Sequence, residues 1–144
     1  MAAEMPVRYS VAVESRPSAL EPSCRQILSA LEAQGFSQDD IFAVHLALEE
    51  AFLNAVKHGN RMDPTKKVTI DYTVDRERVE IRMTDEGPGF DPGGVPDPRV
   101  GTNLYRPEGR GLLLIRAYMH TVEYSERGNS LRMVRCKTPL VPKG

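Results

Sequence analysis

Apolar and polar residues alternate at the start of the chain, with Val7, Tyr9, Val11 and Val13 set against Arg8, Ser10, Ala12 and Glu14. That period of two predicts a half-buried strand. Ser15-Arg16-Pro17-Ser18 interrupts it. Ser18, with Glu21 three residues on, reads as a capping box, and Pro22 then falls in a first helical turn, where proline is tolerated. Leu20, Ile27, Leu28 and Leu31 mark the apolar face of that helix as far as Gly35, with Arg25, Gln26 and Glu32 outside. Ser37 opens a second helix with Asp39 and Asp40 in its first turn, where the helix dipole favours acids. Ile41, Val44, Leu48, Phe52 and Ala55 form its buried stripe, and Gly59 is placed to end it just after His58.

Beyond the turn at Arg61-Met62-Asp63-Pro64 the period returns to two. Val68, Ile70, Tyr72 and Val74 form one strand, and Val79, Ile81 and Met83 the next. The short link through Arg76-Glu77 makes them an antiparallel hairpin, although it lacks glycine and asparagine. Residues 86–110 show neither period and hold six glycines and five prolines, which predicts a functional loop, a lid. A short helix is expected from Gly111 to Met119, then strands near 121–125 and 130–137 joined through Arg127-Gly128-Asn129. The order β-α-α-β-β-lid-α-β-β predicts an α/β (α+β) two-layer sandwich, a mixed, mostly antiparallel sheet with helices on one face.

At 144 residues this is one domain, 1–144, large enough for a real core. Nineteen basic against twenty acidic residues leave a net charge of -1, which argues against general nucleic-acid or membrane-surface binding. No apolar run approaches a membrane span, and the first residues lack a signal-peptide profile. Cys24 and Cys136 have no metal or redox spacing, so two reduced thiols in a cytoplasmic protein are expected.

Three stretches carry chemistry. Glu50, Asn54 and His58 follow one another at i,i+4 steps and so share a helical face opposite the core stripe. Asn54 offers a neutral amide oxygen, the kind of ligand that suits Mg²⁺, and Glu50 one turn before it can act as a general base. Glu49 is its neighbour in sequence, but the spacing to Asn54 selects Glu50. His58, or Lys57, would close the row. The pair His45 and Glu49 reads as surface, since no further ligand is spaced for zinc. Asp85 leads into Glu86-Gly87-Pro88-Gly89, where a carboxylate can accept from the exocyclic amine of adenine and the glycines let backbone approach a base. Gly109-Arg110-Gly111-Leu112 precedes a helix, so free N–H groups and a dipole end make a phosphate cradle there. Arg106 and Arg110 either neutralise a phosphate or are solvated arginines of the lid.

In this order the stretches resemble the N, G1 and G2 boxes of the GHKL ATP-binding superfamily, and within it the anti-sigma-factor serine kinases of the RsbW and SpoIIAB type. The resemblance spans about residues 7 to 137 and implies the Bergerat fold. It also implies that ATP and Mg²⁺ are the cofactors, Glu50 the catalytic base, Asn54 the Mg²⁺ ligand and Asp85 the adenine-specifying residue. Gly87 and Gly89 would line the base, Gly109, Gly111 and Leu112 the phosphates, and Ser130 would reach Asp85 and the adenine through water. The implied partners are a sigma factor and a STAS-type anti-anti-sigma protein, with the chain a homodimer through its first strand and helix. The alternatives are a nucleotide-gated binding module without kinase activity, a weak ATPase, and a histidine-kinase ATP domain.

Overall fold

The structure, a computed structural model, describes residues 7–87 and 107–138, with the backbone alone from 107 to 111. Strand β1 (Val7–Glu14) is followed by a 3-10 turn (Pro17–Leu20), helix α1 (Glu21–Ala33) and helix α2 (Gln38–Asn54). A π turn (Ala55–Gly59) leads to β2 (Lys67–Val74), β3 (Arg78–Thr84), α3 (Pro107–Tyr118), β4 (Thr121–Tyr124) and β5 (Ser130–Cys136). The strands form one sheet in the order β1-β2-β3-β5-β4, and all four pairings are antiparallel. The expected two-layer α/β sandwich is therefore present.

The core lies between this sheet and the helices. Ile27 and Leu31 of α1 and Val44, Leu48 and Phe52 of α2 meet Val68, Ile70, Val79, Ile81 and Met133 from the sheet, and Ile115 of α3 joins them, all buried. Helix α2 is buried over a wider arc than its stripe foretold, because Ala43, Ala47 and Ala51 are buried too. The opposite face of the sheet is polar. There Arg132 bridges Glu80 (2.9 Å) and Glu123 (2.8 Å) across three strands, a cross-strand pairing of opposite charges.

Four local expectations need correction. Ser18 caps nothing: it sits inside the 3-10 turn and its hydroxyl accepts from Arg16 (2.6 Å), while α1 starts at Glu21 with Pro22 in its first turn. Strand β1 is less buried than its alternation implied, since Val7 and Tyr9 on the helix-facing side remain 38% and 48% exposed at the edge of the sheet. Helix α3 begins at Pro107, four residues before the expected start, because proline at a helix N-terminus costs nothing there. The lid assigned to 86–110 thus gives its last four residues to α3, and residues 88–106 lie outside the described residues. The hairpin turn takes its signal from Asp75, whose carboxylate accepts from the N–H groups of Glu77 (2.7 Å) and Arg78 (2.9 Å) in an Asx turn.

A buried ion pair ties the far end together. Asp40, in the first turn of α2, is fully buried and pairs with Arg135 of β5 at 2.8 Å. Arg135 also donates to the Tyr118 carbonyl at the end of α3, and Thr138 donates to Asp40 through its amide (3.0 Å) and hydroxyl (2.7 Å). Burial alone would raise the Asp40 carboxyl, but the Thr138 and Arg135 hydrogen bonds and the Arg135 charge hold it below the usual aspartate range. Among the described residues no helix is long and apolar enough to cross a membrane.

Candidate functional site

The site is built at the opposite end of α2. Ser37 caps this helix as expected, its hydroxyl accepting from the Asp40 amide at 3.1 Å. Ordinary α geometry carries the chain to Asn54 and then widens, with the Asn60 amide bonded to the Ala55 carbonyl (2.8 Å) and the Met62 amide to Val56 (2.8 Å). Only the Glu50–Asn54 step is thus a step of α-helix. The π turn re-aims His58, which is exposed beside Lys57, so the row expected to hold three side chains holds two before the geometry changes. Glu50 and Asn54 are half-buried. Glu49 is exposed and paired with His45 at 3.2 Å, a surface pair as expected, while its neighbour Glu50 is half-buried.

The second wall is Asp85, just beyond β3. Its amide donates to the Asn129 carbonyl (2.9 Å), and the Asn129 side chain donates back to the Asp85 carbonyl (3.3 Å). Its Oδ1 accepts from the Gly87 amide at 2.8 Å, and among the described residues nothing donates to Oδ2. Burial pushes the Asp85 carboxyl above the usual aspartate range, with the Gly87 hydrogen bond, Lys66 and Arg127 pulling the other way. Ser130 is placed differently from expectation. Its hydroxyl bonds that of Thr84 (2.9 Å), and by strand alternation both lie on the sheet face away from Leu131, Met133 and the helices. Asn129, not Ser130, makes the described contacts to Asp85.

Two further residues join these walls, and the sequence reading passed over their role. Gly59 lies so close to Asp85 that a Cβ on it would stand 2.2 Å from Oδ2 and 2.3 Å from the carboxyl carbon. Asn60 is buried at 1% exposure. Its Nδ2 donates to the Lys67 carbonyl (2.9 Å) and to the Ser15 hydroxyl (3.2 Å), and its Oδ1 accepts from the Glu86 amide (2.7 Å). A polar residue directly after a helix-ending glycine was the signal available.

The third wall is the start of α3. With the helix beginning at Pro107, Glu108 and Gly109 lie in its first turn, where N–H groups have no intrahelical acceptor and an anion is favoured, and Arg110 follows directly. Gly111 falls deeper, where its N–H like that of Arg110 is inside the helical ladder, and Leu112 is buried. The phosphate cradle that the sequence predicts in the loop before the helix would thus fall in the helix's own first turn. Gly89 and Arg106 lie outside the described residues.

Among the described residues no three His, Cys, Asp or Glu side chains stand together as a metal cage. What α2 offers is the half-buried Asn54 amide oxygen beside the Glu50 carboxylate. Few hard oxygen donors beside a phosphate site fit Mg²⁺, which keeps several waters and shares the substrate's phosphates.

Comparison with known proteins identifies the family. A family described as the histidine kinase-like ATPase domain matches residues 13–135, which takes in every described wall of the site. The serine-protein kinase RsbW of Bacillus licheniformis is 34% identical over 108 residues, covering 68% of this chain and 66% of its own length. RsbW of Listeria monocytogenes is 31% identical over 108 residues, covering 70% of this chain and 69% of its own. The chain thus spans about two thirds of the curated relatives it matches. The crystal structure of the RsbU and RsbW domains of a Mycobacterium tuberculosis protein superposes with a TM-score of 0.61 at 16% identity, over 92% of this chain and 33% of that one, and supports the fold. With that family model matched across residues 13–135 and these relatives above 30% identity, the chain belongs to the histidine kinase-like ATPase family, among the RsbW serine-protein kinases.

Proposed function

We propose that this chain is a single-domain ATP-dependent serine kinase of anti-sigma type. It phosphorylates a STAS-type anti-anti-sigma protein and, in a competing complex, holds a sigma factor away from RNA polymerase. The observation that carries the reading is the junction of Asp85 with the end of α2. Asp85 presents Oδ2 without a donor among the described residues, beside the helix that bears Glu50 and Asn54. Asp85 accepts from the adenine amine, which guanine lacks at that position. Asn54 holds Mg²⁺, which when bound neutralises phosphate charge. The first turn of α3, with Gly109 in it and Arg110 directly after, receives the phosphates. Glu50 takes the proton of the substrate serine hydroxyl as that oxygen bonds the γ-phosphorus, and the bond to the β–γ bridging oxygen breaks to release ADP. Val7 and Tyr9 at the sheet edge provide a homodimer surface, checked by sedimentation across concentration. A cytoplasmic location follows from those partners.

The test is calorimetric titration with ATP and GTP, with and without Mg²⁺, paired with phosphate transfer to a panel of STAS proteins. Mg²⁺-dependent preference for ATP, lost in Asp85→Asn, is expected. Glu50→Ala should abolish transfer and leave ATP binding within about twofold, since a base acts in the transition state. ATP binding without transfer to any STAS protein would leave a nucleotide-gated binding module in place of a kinase.

A further inference from the structure

We propose that Gly59 and Asn60 are positioning residues for Asp85, and that they set the protein's selectivity for the nucleotide base. The inference rests on the ATP-binding reading and extends it to residues that touch no nucleotide. At Gly59 the backbone is not left-handed, since among the described glycines only Gly35 and Gly128 have positive φ. Glycine is therefore required there by space alone. An added Cβ would meet Oδ2, Cγ and Oδ1 of Asp85 at 2.2, 2.3 and 2.8 Å, so the whole carboxyl group lies against the Gly59 Cα. The contact continues on the other side, where a Cβ on Gly87 would meet the Gly59 carbonyl oxygen at 2.0 Å. That neighbour is backbone and cannot swing aside. Two segments thus close on the carboxylate, Gly59 by contact and the Gly87 amide by a 2.8 Å hydrogen bond, while Asn129 holds the Asp85 backbone through its amide and carbonyl.

Asn60 fixes the same loop from beneath. Both kinds of group on its side chain are used, Nδ2 toward Lys67 and Ser15, Oδ1 toward the Glu86 amide between Asp85 and Gly87. Its own amide closes the π turn on Ala55. One buried side chain therefore locks the end of the Glu50–Asn54 helix, the start of β2 and the aspartate loop into one unit. The acid that reads the base and the amide proposed for Mg²⁺ keep a fixed relation through it.

The test is a double-mutant cycle on the full chain with Gly59→Ala, Asp85→Asn and the pair, reading ATP and GTP affinity by calorimetry at a temperature where each is folded. Gly59→Ala should weaken ATP by about tenfold, the scale of one hydrogen bond to a charged group. GTP should change by less than about twofold, and so should ATP when Asp85→Asn is already present. In the ligand-free protein the Glu86 and Gly87 amide resonances should move in Gly59→Ala and in Asn60→Ala, while those of Arg135 and Thr138 stay. Glu86→Ala, which keeps the bonded amide, should match wild type. Additive losses in the cycle, an unchanged ATP-to-GTP ratio in Gly59→Ala, or unmoved Glu86 and Gly87 amides overturn the proposal while leaving ATP binding intact. A wild type that binds neither nucleotide overturns the selectivity role together with the ATP reading, and amide shifts in that case report only loop geometry.

Discussion

At the residue scale the site turns on how a single carboxylate is held. Burial lifts the Asp85 carboxyl above the aspartate range, so its proton returns at a higher pH than that of an exposed aspartate. Accepting the adenine amine on Oδ2 requires the ionised form. ATP affinity should therefore fall as pH drops, and the fall should begin above pH ~4, the ordinary aspartate value. The residual affinity of Asp85→Asn should be flat over that range. Calorimetry from pH 7 down to the acid limit of solubility checks this, and a flat wild-type profile would contradict it. Asp85, Glu50 and Asn54 stood out in the sequence because they sit in short fixed spacings, and their roles remain proposals. Asn60 was not, because its partners Ser15, Lys67 and Glu86 come from three segments distant in sequence. Gly59 was read as a helix stop, and the reason no side chain fits there appears only once Asp85 is folded against it.

At the element scale local signals compete, and the structure shows which won. Ser37 and Ser18 both stand where a cap would, but only Ser37 accepts a helix amide. Pro17 starts a 3-10 turn before Ser18 can take the extended conformation a cap needs. Ser37→Ala should cost about 1 kcal/mol of stability, and Ser18→Ala, which loses only an exposed bond to Arg16, less than about 0.5 kcal/mol. Urea denaturation of the two variants checks the pair, and equal losses would restore the capping box. The strands were legible from alternation alone. The start of α3 was not, since Gly109 and Gly111 carry low helix propensity and hide a helix already begun at Pro107. The π turn was equally hidden, because the spacing from Asn54 to His58 is the same in a regular helix.

At the scale of the whole molecule the β2–β3 hairpin and the placement of helices on one face followed from the pattern, while the strand order β1-β2-β3-β5-β4 and the contact between Asp40 and Arg135, 95 residues apart in sequence, left no trace in it. The sign of its pH dependence is fixed by the lowered Asp40 carboxyl: its contribution to stability is complete above the unfolded value of about 3.9 and is lost as pH falls through the lower folded value. Urea midpoints should thus drop below pH ~4 in the wild type, and less steeply in Asp40→Asn. Asp40→Ala, which leaves Arg135 buried without its partner, should cost about 3–5 kcal/mol. A variant as stable as wild type at neutral pH would contradict this account. The same cluster has a mechanical meaning. It joins the start of α2 to the end of α3, whereas Asn54 and Gly109 stand toward the other ends of those helices, about 21 Å from Asp40 and about 14 Å from Tyr118 along their axes. The pair is built like tongs riveted at one end by Arg135. The helices also pack on each other between rivet and tips, so the gap at the tips, where the phosphates would be gripped, is set by how the two shafts are joined.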